Sequence, residues 1–270
     1  MSPPSAKRPS GNRSLRLLRS IERSGLAIPA GIALLWWYGS NAGWWDPYLL
    51  PGPCAVMTSL LETARSGELV TNIAASVARI AKGFGLATIF ALSLSFLCGL
   101  RESVARQLAP SLEFLRHIPP MATIPMLILW LGIGEASKIA IIVLATFFPV
   151  FLNTVEGISR YDEGLVDVAR CFGYTPTQTL RRVVIPGAIP YILTGMRLGL
   201  GYGWRSLIAS ELLAASSGLG YMILNAEQLS RPDIVMAGIL VIGFLGSAVD
   251  MLFSLLSDRV MAYGKTNGVA

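Results

Sequence analysis

Three charged residues, Arg197, Arg205 and Glu211, stand inside one of the most apolar stretches of this chain, residues 189–214. Two guanidiniums and a carboxylate can attract and pass an anion, or pair with one another; alone they break no covalent bond. Steps of eight and fourteen residues from Arg197 put all three roughly on one helical face. If the stretch crosses a bilayer, each charge near its centre costs about 2.5–3.5 kcal/mol on insertion scales, so the charges should pair or face water. One reading has Arg197 snorkelling to the inner surface and Glu211 at the outer rim. The other has Arg205 supplying a positive field to an anion's path, with Glu211 as its gate or pairing partner. Trp204 either stacks on Arg205 or packs ordinarily. Other chemistry lacks its residues. His117 is the only histidine, and Cys54, Cys98 and Cys171 are scattered, with neither metal-ligand nor disulfide spacing. The expectation is no catalytic residue, no cofactor site and no metal site.

The elements that must position these charges follow from composition. Only 14% of the residues are charged, where soluble domains carry about 25%. Lipid in place of water as the solvent accounts for that depletion. Windows free of charge occur at Gly25–Trp45, Gly83–Leu100, His117–Gly134, Ile139–Val155 and Ile234–Val249, each near the length a helix needs to cross hydrocarbon. With the Arg-bearing stretch they predict an all-α membrane protein of about six transmembrane helices, over 25–45, 78–100, 117–134, 138–157, 189–214 and 234–256. An even number puts both termini on one side. The formal net charge is +6, and its placement is topogenic. The predicted outer segments hold Arg65, Arg79, Lys82, Lys138 and Arg231, whereas every other basic residue except Arg197 and Arg205 falls on an inner segment. That asymmetry follows the positive-inside rule, places both termini in the cytoplasm and argues against nucleic acid as a partner.

Residues 1–24 form a basic cytoplasmic segment, with a possible amphipathic helix over Ser14–Arg23 on the inner leaflet, and 263–270 a cytoplasmic tail. The first apolar window is too long for a signal-peptide core. It ends in Trp44, Trp45 and Tyr48, the aromatics of a membrane interface, so it is read as a retained span. A first outer loop with a short polar helix at Val56–Arg65 follows. Pro119, Pro120 and Pro125 predict a third span that is kinked or interrupted, either as a packing feature or as a cavity-lining bend. Gly195, Gly199 and Gly203 recur every four residues, a pattern for close helix packing or a dimer face.

A polar loop, 161–188, separates the fourth and fifth spans. Asp162 can cap a helix whose Leu165, Val168, Ala169 and Phe172 form one apolar stripe. Gly173 suits the left-handed residue after that helix. Thr175-Pro176-Thr177-Gln178 then reads as a new start, with Thr175 as N-cap, Pro176 at the first position and Gln178 closing a capping box. Pro186 is expected to end this second helix. From the residues alone, such a hairpin either rests on the membrane surface or docks a soluble partner.

The loop D-V-A-R-C-F-G followed by V-V-I-P resembles the E-A-A-x-x-x-G…I-x-L-P loop of permease subunits of bacterial ABC importers. Ala169, Gly173 and Pro186 match, and Asp167 replaces the usual Glu. The segments Ile118–Ile139, Arg182–Leu200 and Ala209–Ile223 are similar to permeases of the nitrate, taurine, aliphatic-sulfonate and bicarbonate group. The resemblance implies a type I importer permease fold in the bacterial inner membrane, a homodimer of permeases in lipid, and a periplasmic or lipid-anchored binding protein. Two copies of a separate ATP-binding subunit would use the ATP and magnesium, since this chain has no G-x-x-x-x-G-K-[ST] loop. It implies that Asp167, Ala169, Gly173, Thr175, Pro176 and Pro186 belong to the ATPase-coupling hairpin. Arg197, Trp204, Arg205 and Glu211 remain the candidates for a pathway carrying a small anion. The alternative, a secondary transporter driven by an ion gradient, calls for midplane carboxylates or an inverted repeat, and neither is evident.

Overall fold

The computed structural model describes residues 27–160 and 163–266, and every regular element among them is helical. The chain divides into two units, residues 1–58 and 59–270. In the first, α1 (Ala27–Asn41) ends in a turn closed by aromatics. Gly39 is buried because the Trp45 ring occupies the place of a side chain. Trp44 packs edge-on against both Tyr38 and Trp45, and the Trp36 indole donates to the Pro51 carbonyl at 3.1 Å. The 15 described residues of α1 span about 22 Å, less than the roughly 30 Å of hydrocarbon. The predicted basic segment before it lies outside the described residues.

Helix α2 (Pro53–Arg65) leads into the second unit. It is followed by α3 (Glu68–Leu100), α4 (Glu102–Arg116), a 3-10 turn (Pro120–Thr123), α5 (Ile124–Leu131) and α6 (Glu135–Ser159). Next come α7 (Glu163–Cys171), α8 (Pro176–Thr179), a π turn (Leu180–Val184), α9 (Ile185–Ala214), α10 (Leu219–Gln228) and α11 (Pro232–Thr266). Among the described residues four helices are long and apolar enough to span a bilayer, and the pair around Pro120 makes a fifth if it is one bent span. The third expected span, 117–134, is interrupted, as its prolines predict, and holds only the 3-10 turn and the short α5. A further helix, Glu102–Arg116, precedes it and meets Pro120–Leu131 at 85°. Pro119 is extended, Pro120 opens the 3-10 turn and Pro125 sits in the first turn of α5, where a missing N–H costs nothing. The prolines start short helices here; they do not kink a long one. The second span also begins earlier than expected. Helix α3 starts after Gly67, at φ 80°, and carries Arg79 and Lys82 within it.

The core is the packing of α3, α6 and α9. Apolar side chains from each, including Ile80, Ile142 and Leu207, join Leu219 and Met222 of α10. Small residues set the distance between helices. A side chain at Gly83 would collide with Ile142, and one at Gly195, Gly199 or Gly203 would strike α6 at Pro149, Thr146 or their neighbours. The glycine repeat is thus an intramolecular face of α9 against α6. Outside the core, the most apolar stretch of α11 is wholly unburied, and Phe90, Phe244 and Leu252 are exposed, the surface expected where lipid is the solvent.

Candidate functional site

The hairpin between α6 and α9 is built by local chemistry. Asp162, the expected cap of α7, lies outside the described residues. Gly173 follows α7 at φ 73°, a left-handed turn closed by Gly173 N–H to Arg170 and Tyr174 N–H to Ala169. The capping box forms: Gln178 N–H donates to Thr175 Oγ1 at 3.3 Å, and Thr175 N–H to Gln178 Oε1 at 2.8 Å. Pro176 is at the first helical position. Pro186 does not end the helix. The backbone widens into the π turn and continues as α9. The wider turn makes room for a ring that would clash with the carbonyl four residues back.

The predicted apolar stripe splits. Ala169 is buried together with Val166, while Leu165, Val168 and Phe172 are exposed, Phe172 at 78%. Positions 165, 168 and 172 share one face, so the hairpin presents an uncovered apolar ridge. Asp167 pairs with Arg170 at 3.1 Å on the flank. Just before the hairpin, Arg160 pairs with Glu156.

The charges of α9 separate into two environments. Arg197 and Arg205 differ by about 80° around the helix and line one groove. Glu211, about 120° from Arg205, is buried on another side, so the three do not all share the expected face. Glu211 is fully buried and pairs not with Arg205 but with Arg79 of α3, Nη1 to Oε1 at 2.7 Å. Glu211 also accepts from the Ser76 hydroxyl at 2.8 Å and the Gly220 amide at 3.0 Å. Arg79 spends its other donors on Glu135 of α6, 2.7 Å away, and on the Ser217 carbonyl and hydroxyl at 2.6 and 2.8 Å. Lys138, also buried, reaches Glu135 at 3.2 Å. Asn72 and Ser76 accept the amides of Gly218 and Leu219 at 2.7 and 2.9 Å. Two cations and two carboxylates thus weld α3, α6, α9 and the loop before α10 into one block. Gly218, at φ 116°, sits so tightly that a methyl group would overlap the Glu211 carboxyl carbon. The pairing of Glu211 with Arg205 is set aside.

Trp204 is 8% exposed and packs in the core; it is Tyr202 whose ring lies 5.8 Å from the Arg205 guanidinium. Arg205 itself is exposed. It faces a groove of about 1070 Å³ between α9 and α11, together with Arg197, Asp250 and Asp258. Arg197 does not simply snorkel. It is paired bidentately with Asp250, at 2.7 and 2.9 Å. A second, mostly apolar groove of about 1280 Å³ is lined by the Pro120 bend, Phe90, Met126, Trp130 and Tyr202, so the bend does border a cavity. Among the described residues no three of His, Cys, Asp and Glu gather as a metal site would require. Sequence reasoning missed Arg79, Glu135, Lys138 and Asp250. Arg79 and Lys138 were assigned to loops, and the charge-free window Ile234–Val249 stops one residue short of Asp250.

Comparison with known proteins converges on one family. Residues 83–262 match the profile of the binding-protein-dependent transport system inner membrane component. The chain is 38% identical to the aliphatic sulfonates transport permease protein SsuC of Bacillus subtilis (strain 168), over 88% of this chain and 87% of that protein. It is 36% identical to the taurine transport system permease protein TauC of Escherichia coli (strain K12), over 86% of each. The bicarbonate transport system permease protein CmpB of Synechococcus elongatus is 28% identical, over 94% of this chain and 95% of that protein. An inward-facing structure of the MetNI methionine ABC transporter has the same fold. It aligns with a TM-score of 0.57 at 16% identity, covering 74% of this chain and 96% of that one. The chain belongs to the family of inner-membrane components of binding-protein-dependent transport systems, and is a multi-pass permease subunit of an ABC importer, not an enzyme.

Proposed function

We propose that two copies of this chain form the pathway of an ATP-driven importer for a small anion, a sulfonate first among the candidates. Each hairpin engages one of two ATP-binding subunits in the cytoplasm. A binding protein on the other side delivers the solute. Both termini lie in the cytoplasm, as the distribution of basic residues requires. The chain binds no cofactor itself; ATP and magnesium serve the ATPase subunits.

The observation that carries the mechanical half is the uncovered ridge of Leu165, Val168 and Phe172 beside the Gly173 turn. Apolar side chains at 55%, 51% and 78% exposure on a loop outside the spans call for a protein groove to cover them. The direct run of backbone from that ridge through α8 and the π turn into α9 lets a push on the hairpin reach the helix that bears Arg205. The anion half is supported by Arg205, an exposed cation in a span. The sulfonate and taurine names of the relatives support a solute bearing a sulfonate group as its partner. Arg205→Ala should abolish uptake in proteoliposomes while the protein remains at normal abundance; undiminished uptake removes Arg205 from the pathway. Gly173→Asp should lose the ATPase on co-purification, or leave ATP hydrolysis uncoupled from transport. The site has open space for the new side chain and Asp tolerates the left-handed backbone, so global unfolding is not the expected outcome. Retained, coupled ATPase would overturn the docking role.

A further inference from the structure

The groove between α9 and α11 holds an ion pair that an anion pathway does not by itself require. Arg197 grips Asp250 through two parallel hydrogen bonds, yet both side chains stay about half exposed, at 49% and 50%. The contrast with Arg79 and Glu211, at 4% and 0%, separates the two pairs. The buried pair is locked by every neighbouring donor. The Arg197–Asp250 pair is open to the groove along its length, and exposed pairs contribute little to stability. Arg205 faces the same groove eight residues along α9 and makes no ion pair among the described residues. The two guanidiniums are thus offset by about 12 Å along the helix axis. On α11, Asp258 lines the same wall eight residues past Asp250. Three stations follow one another from the α10 end of the groove: a cation without an ion pair among the described residues, a neutralised cation, and an exposed carboxylate that also acts on Arg197.

We propose that Asp250 is a counter-ion gate, holding the Arg197 fork so that a small oxyanion can exchange into it without being retained. The inference rests on the reading above, that the chain carries a small anion. A guanidinium fork accepts the oxygens of a carboxylate and of a sulfonate by the same two-donor geometry. Left free in a groove partly shielded from water, Arg197 would hold the anion too long. Passage needs sites that bind well enough to admit and weakly enough to release. A carboxylate tethered on the adjacent helix competes at a local concentration in the millimolar range or above, so the incoming anion displaces it only briefly. Asp258, a like charge further on, disfavours a second stop. Asp250 is in this sense a positioning residue that acts through Arg197.

The test uses the permease–ATPase complex with its binding protein in proteoliposomes for uptake, and the same complex without the binding protein for equilibrium binding. Ethanesulfonate, nitrate and bicarbonate serve as probes. Asp250→Asn should bind at least one of them about tenfold more tightly, since the competing carboxylate is gone, and should import it more slowly. Asp250→Glu should behave like the native protein. The double variant R197Q/D250N keeps a neutral hydrogen-bonded pair. It should match native thermal stability and bind weakly, with uptake reduced at least tenfold. Unchanged binding of all three probes by Asp250→Asn, or native uptake by the double variant, overturns the gate. If Arg205→Ala still transports while Asp250→Asn tightens binding, the gate stands and the role of Arg205 falls; the reverse pattern sinks the gate and leaves Arg205.

Discussion

Glu211 shows how differently one residue reads from sequence and from structure. A carboxylate in a span invites a gating role, and its neighbour six residues back, Arg205, is the obvious partner by chain distance. Yet that step turns the side chain about 120° away, into the core, where Arg79 meets it across 132 residues of sequence. No periodicity encodes a tertiary partner, so the pairing was not legible. What could be read was the family-like segment Ala209–Ile223 that carries it, in which Gly218 and Gly220, at the start of α10, would each clash with Glu211 if they bore a side chain. Removing one member of a buried pair strands the other without water, at a cost of about 3–5 kcal/mol. Arg79→Ala, which leaves the buried Glu211 carboxylate with no counter-charge, should therefore lower thermal stability and membrane abundance sharply, and Glu211→Ala less so, because Arg79 keeps Glu135 at 2.7 Å. The double variant should lose less than the sum of the two, because neither leaves a lone charge once the other is gone. A melting series on the detergent-purified protein measures this. Additive losses, or stability unaffected by Glu211→Ala, would mean the cluster is not a structural weld.

At the scale of elements, the signals that survived were local. The Thr175 capping box and the Gly173 turn need only four or five neighbouring residues, and both form as the spacing requires. The apolar windows fall within α6, α9 and α11 because lipid imposes hydrophobicity over a whole span. Prolines gave one right reading and one wrong one. The interruption expected around Pro119, Pro120 and Pro125 is present as an 85° bend. Pro186, read as a stop, instead sits inside a continuous run from Pro176 to Leu213, and a π turn absorbs it. The glycines of α9 left two readings open, a dimer face or internal packing, since the pattern fixes closeness and not the partner. Thr146 and Pro149 of α6 are that partner. Gly199→Leu should consequently separate α9 from α6 inside a single subunit. It should reduce stability even where dimer formation, followed by cross-linking, is unaffected. Loss of dimer with an intact melting transition would assign the face to the second copy.

At the scale of the whole molecule, the buried cluster and the open groove divide the labour. The weld of α3, α6, α9 and α10 makes one end of the bundle rigid. At the other end, α9 emerges from the hairpin through the less regular π turn, and the only ion pair between α9 and α11 is open to the groove among the described residues. Movement driven from the hairpin would then be expressed around Arg197 and Asp250, and resisted near Glu211. This arrangement requires the hairpin and the α10 loop to lie on opposite faces of the membrane, and the chain's own cysteines report on that. Cys171, at the end of α7, and Cys54, at the start of α2, are exposed, while Cys98 is buried. A membrane-impermeant maleimide applied to sealed right-side-out vesicles should label Cys54 and spare Cys171; inside-out vesicles should reverse the pattern. Cys98 should react only after denaturation. Labelling of Cys171 from outside would place the hairpin where no ATPase can reach it, and the positive-inside orientation and the coupling role would fail together.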